Sequence, residues 1–430
     1  MTRNAAKPHS HLTRRTVLQA AGAAVGSGAV TGFPTIWAQN IKDIVWNHAG
    51  PPVTAIPAIG EQASKDLGFT VRMQAAENAD LLNRFLTQSS TIDSADVSVT
   101  YLKYLIGRNV LQTIPVDKIK DWDKTMPIFT KGEYPDGRKA SRQGTMPLNV
   151  LYATTAEGDK VTDGTPTEWV TGLPTVINGD TLGIRPDLVE RPVTSWADLL
   201  SPDFKGKTAL QDSPNTGVID VAMAVEARGD IKYGDKGNMT KDEIDKTIKI
   251  MTDIKKAGQF RSFWSSFDQS VNLMASGEVV IQSMWSPAVA AVRSRGIACT
   301  FQPLKEGYRG WGYTLGGMKH LTGLKLDAFY EFMNWYTSGF QGAFIAREGY
   351  YSAQPENARK FLTVAEWDYW YGGKPAATDI MNPFGKLQEK AGVKRDGGSL
   401  WDRLGNIAVW NSVMDEDRYL TRRWNEFITS

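Results

Sequence analysis

Cysteine occurs once in 430 residues, at Cys299, so no intramolecular disulfide can form and no thiolate metal site can be assembled. Histidine occurs four times, at His9, His11, His48 and His320. A multi-histidine metal centre or a histidine-based hydrolase has almost no raw material, and no cofactor or metal is expected. Beyond the N-terminal region no apolar stretch approaches the roughly 18 residues of a membrane span, so a soluble chain is expected. Neither charge dominates: 49 Lys and Arg face 47 Asp and Glu, without a basic stripe, which argues against nucleic acid as a partner. The G-x-S-x-G, H-E-x-x-H, phosphate-loop and dinucleotide fingerprints are all missing. What remains is an ordinary globular composition, 41% hydrophobic and 22% charged, which excludes wholesale disorder. Aromatic residues are plentiful, with 14 tryptophans to share between core packing and a ligand cage.

The N-terminus reads as an address. Thr13-Arg14-Arg15-Thr16-Val17-Leu18-Gln19 places two adjacent arginines before the Ala- and Gly-rich run from Ala20 to Val30. A basic region, a short mildly apolar stretch and a tail ending near Ala38 make a bacterial export signal over 1–38. The arginine pair resembles the twin-arginine pattern, with Val17 where that pattern usually carries Phe. A disordered basic tail is the alternative. Removing 1–38 leaves 45 basic against 47 acidic residues. A nearly neutral, exported, disulfide-free protein suits the periplasm.

Periodicity predicts an α/β chain. Ile41 to Trp46 reads as a buried strand, Gly60 to Leu67 as a helix, Gly68 to Met73 as a strand, Ala79 to Gln88 as a helix and Ala95 to Val99 as a strand. That order argues for a sheet with crossover helices. Residues 121–172 are loop-rich. A strand from Leu173 to Ile184 reads as broken at Asn178-Gly179-Asp180. Thr194 to Leu199 opens a helix with Asp198 in its first turn. Helices are predicted over 217–227, 240–257, Pro287 to Arg295 and Leu326 to Phe344, with a strand at Val279 to Met284.

Five stretches together carry a resemblance: Ser94-Ala95-Asp96-Val97-Ser98-Val99-Thr100-Tyr101; Val193-Thr194-Ser195-Trp196-Ala197-Asp198-Leu199-Leu200 with Phe204-Lys205-Gly206-Lys207; Met274-Ala275-Ser276-Gly277-Glu278-Val279; Met284-Trp285; and Gly349-Tyr350-Tyr351-Ser352-Ala353-Gln354-Pro355-Glu356-Asn357. In order and spacing the chain resembles the periplasmic solute-binding proteins of bacterial ABC importers, of the spermidine/putrescine-binding type (extracellular solute-binding family 1). The resemblance covers roughly 41 to 365. It implies two α/β lobes, each a mixed sheet flanked by helices, closing by a hinge over a ligand in the cleft between them. Lobe one maps to 40–174 plus 310–345 and lobe two to 175–308 plus 346–430, with crossovers near Pro174 and Glu306 to Gly310. A small solute and an inner-membrane permease are the implied partners, and a monomer is expected.

A polyamine needs carboxylates for its ammonium groups and aromatic walls for its stem. Tyr101, Trp285, Trp311 and Tyr313 map to the cleft, each with core packing as the alternative. Acids look scarce by comparison with the family. The first cleft loop, Asn47-His48-Ala49-Gly50-Pro51, has none, and Gln211-Asp212-Ser213-Pro214-Asn215-Thr216-Gly217 keeps only Asp212. Ser213 before Pro214, and Trp285-Ser286-Pro287, read as two helix starts whose free N–H groups favour an anion or carboxylate. Plain surface capping is the alternative. Arg309 beside Trp311 offers a forked partner for a carboxylate. The candidate ligand-binding residues are therefore Asn47, His48, Thr100, Tyr101, Asp212, Ser213, Asn215, Thr216, Trp285, Ser286, Arg309, Trp311 and Tyr313. The expected ligand is less cationic than spermidine: a zwitterion, a mono-amine or a small organic acid. An exported carbohydrate-active enzyme is the rival class, with Glu366, Asp368 and Asp415-Glu416-Asp417 as its acids; a solvated helix face explains those better, and no enzymatic role is expected.

Overall fold

The computed structural model describes residues 41–430. The export signal expected over 1–38 lies outside the described residues. The chain divides into two units, Met1–Lys42 and Asp43–Ser430, and the second carries the architecture below. Among the described residues no helix is long and apolar enough to cross a membrane.

The organising element is a pair of long antiparallel strands, Leu173–Ile184 and Tyr308–Met318, in register from Arg309 opposite Asp180 to Leu315 opposite Leu173. All twelve residues of the first are buried, as expected of a strand covered on both faces. At one end of the pair, Tyr313–Gly317 align with Ser98–Ser94, and the sheet continues through Val45–Gly50 to Thr70–Ala75. At the other end, Thr181–Ile184 align with Met284–Ile281, and the sheet continues through Thr208–Gln211 to Phe260–Trp264. Two half-sheets are thus joined by two continuous strands and crossed by helices, the α/β class that the element order predicts.

The expected break at Asn178-Gly179-Asp180 does not occur; the strand runs straight through. Gly179 serves a close approach instead of a turn, since a Cβ there would come within 2.9 Å of the Tyr308 Cβ. The first strand lies a few residues later than the apolar pattern suggests, at Val45–Gly50, while Ile41–Asp43 form a 3-10 turn. The helix expected over Leu326 to Phe344 is two helices, Gly323–Tyr336 and Phe340–Ala346. Gly339 between them sits at φ 134°, which a side chain would strain. The cap is as the sequence suggests at Ser195, whose hydroxyl and Asp198 form a reciprocal capping box; the structure adds a second box at Thr240 with Glu243.

The tail after 346 does not belong to one end alone. Tyr351–Ser352 pair with Ile177 and Val176, and Ile407–Trp410 run parallel to Tyr308–Gly310. The last helix, Asp417–Thr429, buries Leu420, Trp424 and Phe427 on one stripe. That stripe completes the hydrophobic core of the second half, with Trp196, Leu210, Val218 and Ile248. The spacing of four and three residues keeps all three side chains on one helix face, so burying them anchors the tail.

Candidate functional site

Between the two half-sheets lies a cavity of about 480 Å³. Its wall comes from the loop after the first strand (Pro51 to Pro57), the start of the helix Asn78–Thr87, both crossover strands, and Trp285 before the helix Ser286–Arg293. The tail contributes Phe384 and Asn411. Both crossover strands therefore present side chains to the same space that the half-sheets enclose.

One wall is aromatic. The Trp311 ring meets Tyr313 edge-on at 5.5 Å and Tyr350 at 5.7 Å, while Trp285 stacks with Phe267 at 6.3 Å. Asn78 donates to the Tyr313 hydroxyl at 2.9 Å, which holds that ring in place. Such faces attract a cation and cover an aliphatic stem.

The polar part centres on Arg309, which is 2% exposed. Its Nε donates to Asp220 Oδ1 at 2.7 Å, Nη1 to Asn411 Oδ1 at 2.7 Å and Nη2 to Asp180 Oδ2 at 3.3 Å. Two buried carboxylates thus oppose one guanidinium. Burial pushes the Asp180 carboxyl up to about 6, against the pull of Arg309 and of the neighbouring Trp311 side chain. Burial likewise raises Asp220, again opposed by Arg309. Asp180 Oδ1 and Asp220 Oδ2 have no protein partner. Glu348 also lines the cavity, its carboxyl raised by burial and its Oε1 unpartnered; Glu77 stands at the more exposed side. The wall therefore carries more acidic side chains than basic ones.

Of the residues expected at the site, Thr216, Trp285, Arg309, Trp311 and Tyr313 line the cavity. The others do not. His48 is wholly buried, with Nδ1 2.9 Å from Ser94 Oγ and Nε2 3.0 Å from Asp96 Oδ2, an acid that also accepts from Tyr336. Asn47 is bonded to Asp93 through its backbone N–H at 2.8 Å. Both are part of the first half's polar core. Asp212 accepts from Trp424 Nε1 at 2.8 Å, so it holds the last helix and does not face the cavity. The helix expected to start at Ser213 and Pro214 begins at Gly217, with Thr216 as an N-cap whose hydroxyl donates to Gln211 Oε1. The Ser213 backbone N–H donates to the Gln211 carbonyl in the preceding turn. Tyr101 and Asn215 are bonded to each other, burial raising the Tyr101 hydroxyl and this bond opposing the shift; Thr100 sits half-buried beside Tyr101. Ser286 borders a separate small cavity.

The sequence reading missed Asp180, Glu348, Glu77, Tyr350, Phe267 and Phe384. Asp180 is the one charged residue of its twelve-residue strand, but it follows Asn178-Gly179 in a run that reads as a turn. The rival catalytic acids are dispersed. Glu366 pairs with Arg347, Asp368 with Lys374, and Asp415 accepts from Asn238.

A family model described as bacterial extracellular solute-binding protein matches residues 58–356, well over half the chain. No curated protein sequence matches. Solved structures of similar fold include the spermidine/putrescine ABC transporter substrate-binding protein PotD of Streptococcus pneumoniae, at TM-score 0.58 and 12% identity over 90% of this chain and 97% of that one. The TpPotD lipoprotein of Treponema pallidum gives 0.57 and 13% over 90% and 100%. AgtB of A. tumefaciens R10, in complex with agropinic acid, gives 0.56 and 12% over 90% and 99%. Likeness at this level of identity establishes the two-lobed α/β fold, and the solutes in those names differ enough that ligand chemistry has to be argued from this chain's own cavity.

Proposed function

The chain belongs to the bacterial extracellular solute-binding proteins, and from that premise we propose that it is the periplasmic substrate-binding component of an ABC importer, taking a small solute that carries at least one ammonium group. The supporting observation is the pairing of an aromatic wall, Trp311 with Tyr350 and Trp285 with Phe267, with the acids Asp180, on the first crossover strand, and Glu77, at the more exposed side. An ammonium entering the cavity meets ring faces and the acids Asp180 and Glu77, whereas a carboxylate would meet an Arg309 that already donates to Asp220, Asn411 and Asp180. Such a solute includes the zwitterion and the mono-amine of the expected set and leaves out the plain organic acid: the family's acids are missing at their usual places, and Asp180 of the first crossover strand offers one in their stead. The two lobes would close by bending of the crossover strands, lobe one being 40–174 with 310–345 and lobe two 175–308, with the tail shared between them. The solute would then pass unaltered to an inner-membrane permease.

A fluorescence titration of the mature chain tests this, using putrescine, spermidine, γ-aminobutyrate, glycine betaine and succinate. Saturable tryptophan quenching by one or more amine-bearing solutes, with none by succinate, is the expected outcome. Saturation by the dicarboxylate alone would overturn the assignment of charge, and turnover of any solute would overturn the transport role.

A further inference from the structure

Glu348 also borders a second cavity, small at about 20 Å³, whose wall brings together Arg395 and Arg403 from the tail. Both guanidiniums are buried, at 4% and 0% exposure. Arg395 donates only to backbone carbonyls, those of Trp370 and, at 2.9 Å, Gly349. Arg403 donates to Asn178 Oδ1 at 3.3 Å and to the Gly179 carbonyl at 3.4 Å. Among the described residues neither forms an ion pair with a carboxylate, and the Nε of each has no partner in the protein. The two share one ring: Tyr351 lies 4.5 Å from the Arg395 guanidinium and 5.6 Å from that of Arg403.

The acids on the same wall do not settle this charge. Glu389 and Asp396 are both spent on Arg293. Glu348 makes no ion pair, and burial favours its neutral form. Arg395 is held down to about 10, first by burial and with Arg403 contributing, so it stays charged at neutral pH. Two buried guanidiniums on one wall, neither paired directly with a carboxylate and each with an unbonded Nε, are costly. The space suits one sphere somewhat larger than water, which itself needs about 10–15 Å³, and it is small for a polyatomic oxyanion.

We propose that this cavity binds a single monatomic anion, chloride, between Arg395 and Arg403. Because Arg403 bonds Asn178 and Gly179 of the first crossover strand, the ion would lock the tail to that strand. Glu348 borders both cavities, while the proposed donors to the ion, Arg395 and Arg403, line only the smaller one.

The test compares thermal unfolding of the mature chain in sodium chloride and sodium gluconate at equal ionic strength, and maps anomalous scattering from crystals soaked in bromide. Chloride should raise the melting temperature saturably, by about 1–2 °C for a tenfold gain in folding constant. Bromide should give a peak in the small cavity that Arg395 and Arg403 line. Arg403→Gln should lose the chloride increment. Since that variant could fold poorly, the bromide map of the unmodified chain decides by itself: a peak there supports the site, and no peak at saturating bromide, or water density alone, overturns it.

Discussion

Asp180 and Arg309 stand directly opposite each other in the antiparallel register of the two crossover strands, and the Arg309 Nη2 donates to Asp180 Oδ2 at 3.3 Å with both side chains almost out of solvent. An ion pair is thus built into the strands that connect the half-sheets, on the wall of the large cavity. Asp220, from the helix Gly217–Arg228, shares the same guanidinium at 2.7 Å.

Arg309→Ala should therefore be strongly destabilising. It leaves two buried carboxyls facing each other without their cation, a loss of about 3–5 kcal/mol for breaking a buried pair. A lowered urea midpoint with an unchanged slope would be the expected result; a loss under about 1 kcal/mol would mean that the pair is hydrated.

Binding of an amine-bearing solute should strengthen with pH through the acid range. The Asp180 carboxyl is pushed up to about 6, and only its ionised form attracts an ammonium, so affinity should rise from pH 5 to 7 with an inflection near 6. Calorimetric titration at several pH values checks this, and Asp180→Asn should flatten the profile. The ligand-free chain should show the opposite sign. A carboxyl raised from 3.8 to about 6 binds its proton more tightly when folded, so its contribution to stability is lost as pH climbs through that window and stays lost above it.

Trp311→Ala and Asp212→Ala should separate binding from folding. Removing the Trp311 ring costs a cation about 0.5–2 kcal/mol, or roughly two- to thirtyfold in Kd. Asp212→Ala strips the acceptor from the buried Trp424 indole and should cost about 1–3 kcal/mol of stability while leaving the Kd unchanged. Reversed effects in the two variants would move Asp212 into the site and Trp311 out of it.

Phe384 lies in the turn between the short strands Ile380–Met381 and Leu387–Glu389, packs edge-on against Phe344 at 5.8 Å, and is 60% exposed although it lines the cavity. Phe384→Ala should leave the melting temperature within the small range of surface changes and speed solute release severalfold in stopped-flow. An unchanged off-rate would make the ring a bystander.

Much of the architecture was legible along the chain because it rests on local patterns. Alternation and helical spacing placed the strands and helices of the first half within a few residues, and capping pairs such as Ser195 with Asp198 are set by neighbours three residues apart. Trp285, Trp311 and Tyr313 were legible as cavity residues through the family resemblance. Asp180 was not, because an Asn-Gly-Asp run has the composition of a turn; only the packing of Tyr308 against Gly179 shows why a glycine sits inside a straight strand.

The sequence by itself determined an α/β chain, the five segments of the family resemblance, and a shortage of acids at the family's usual cleft positions. The tertiary structure alone decided which side chains line the cavity. His48, Asn47 and Asp212 turn away to satisfy buried partners at Asp96, Asp93 and Trp424, while Asp180 and Glu348, separated by more than 150 positions, arrive on one wall. Charge in a binding site is a sum over neighbours in space, and at these separations only the folded chain says which neighbours those are.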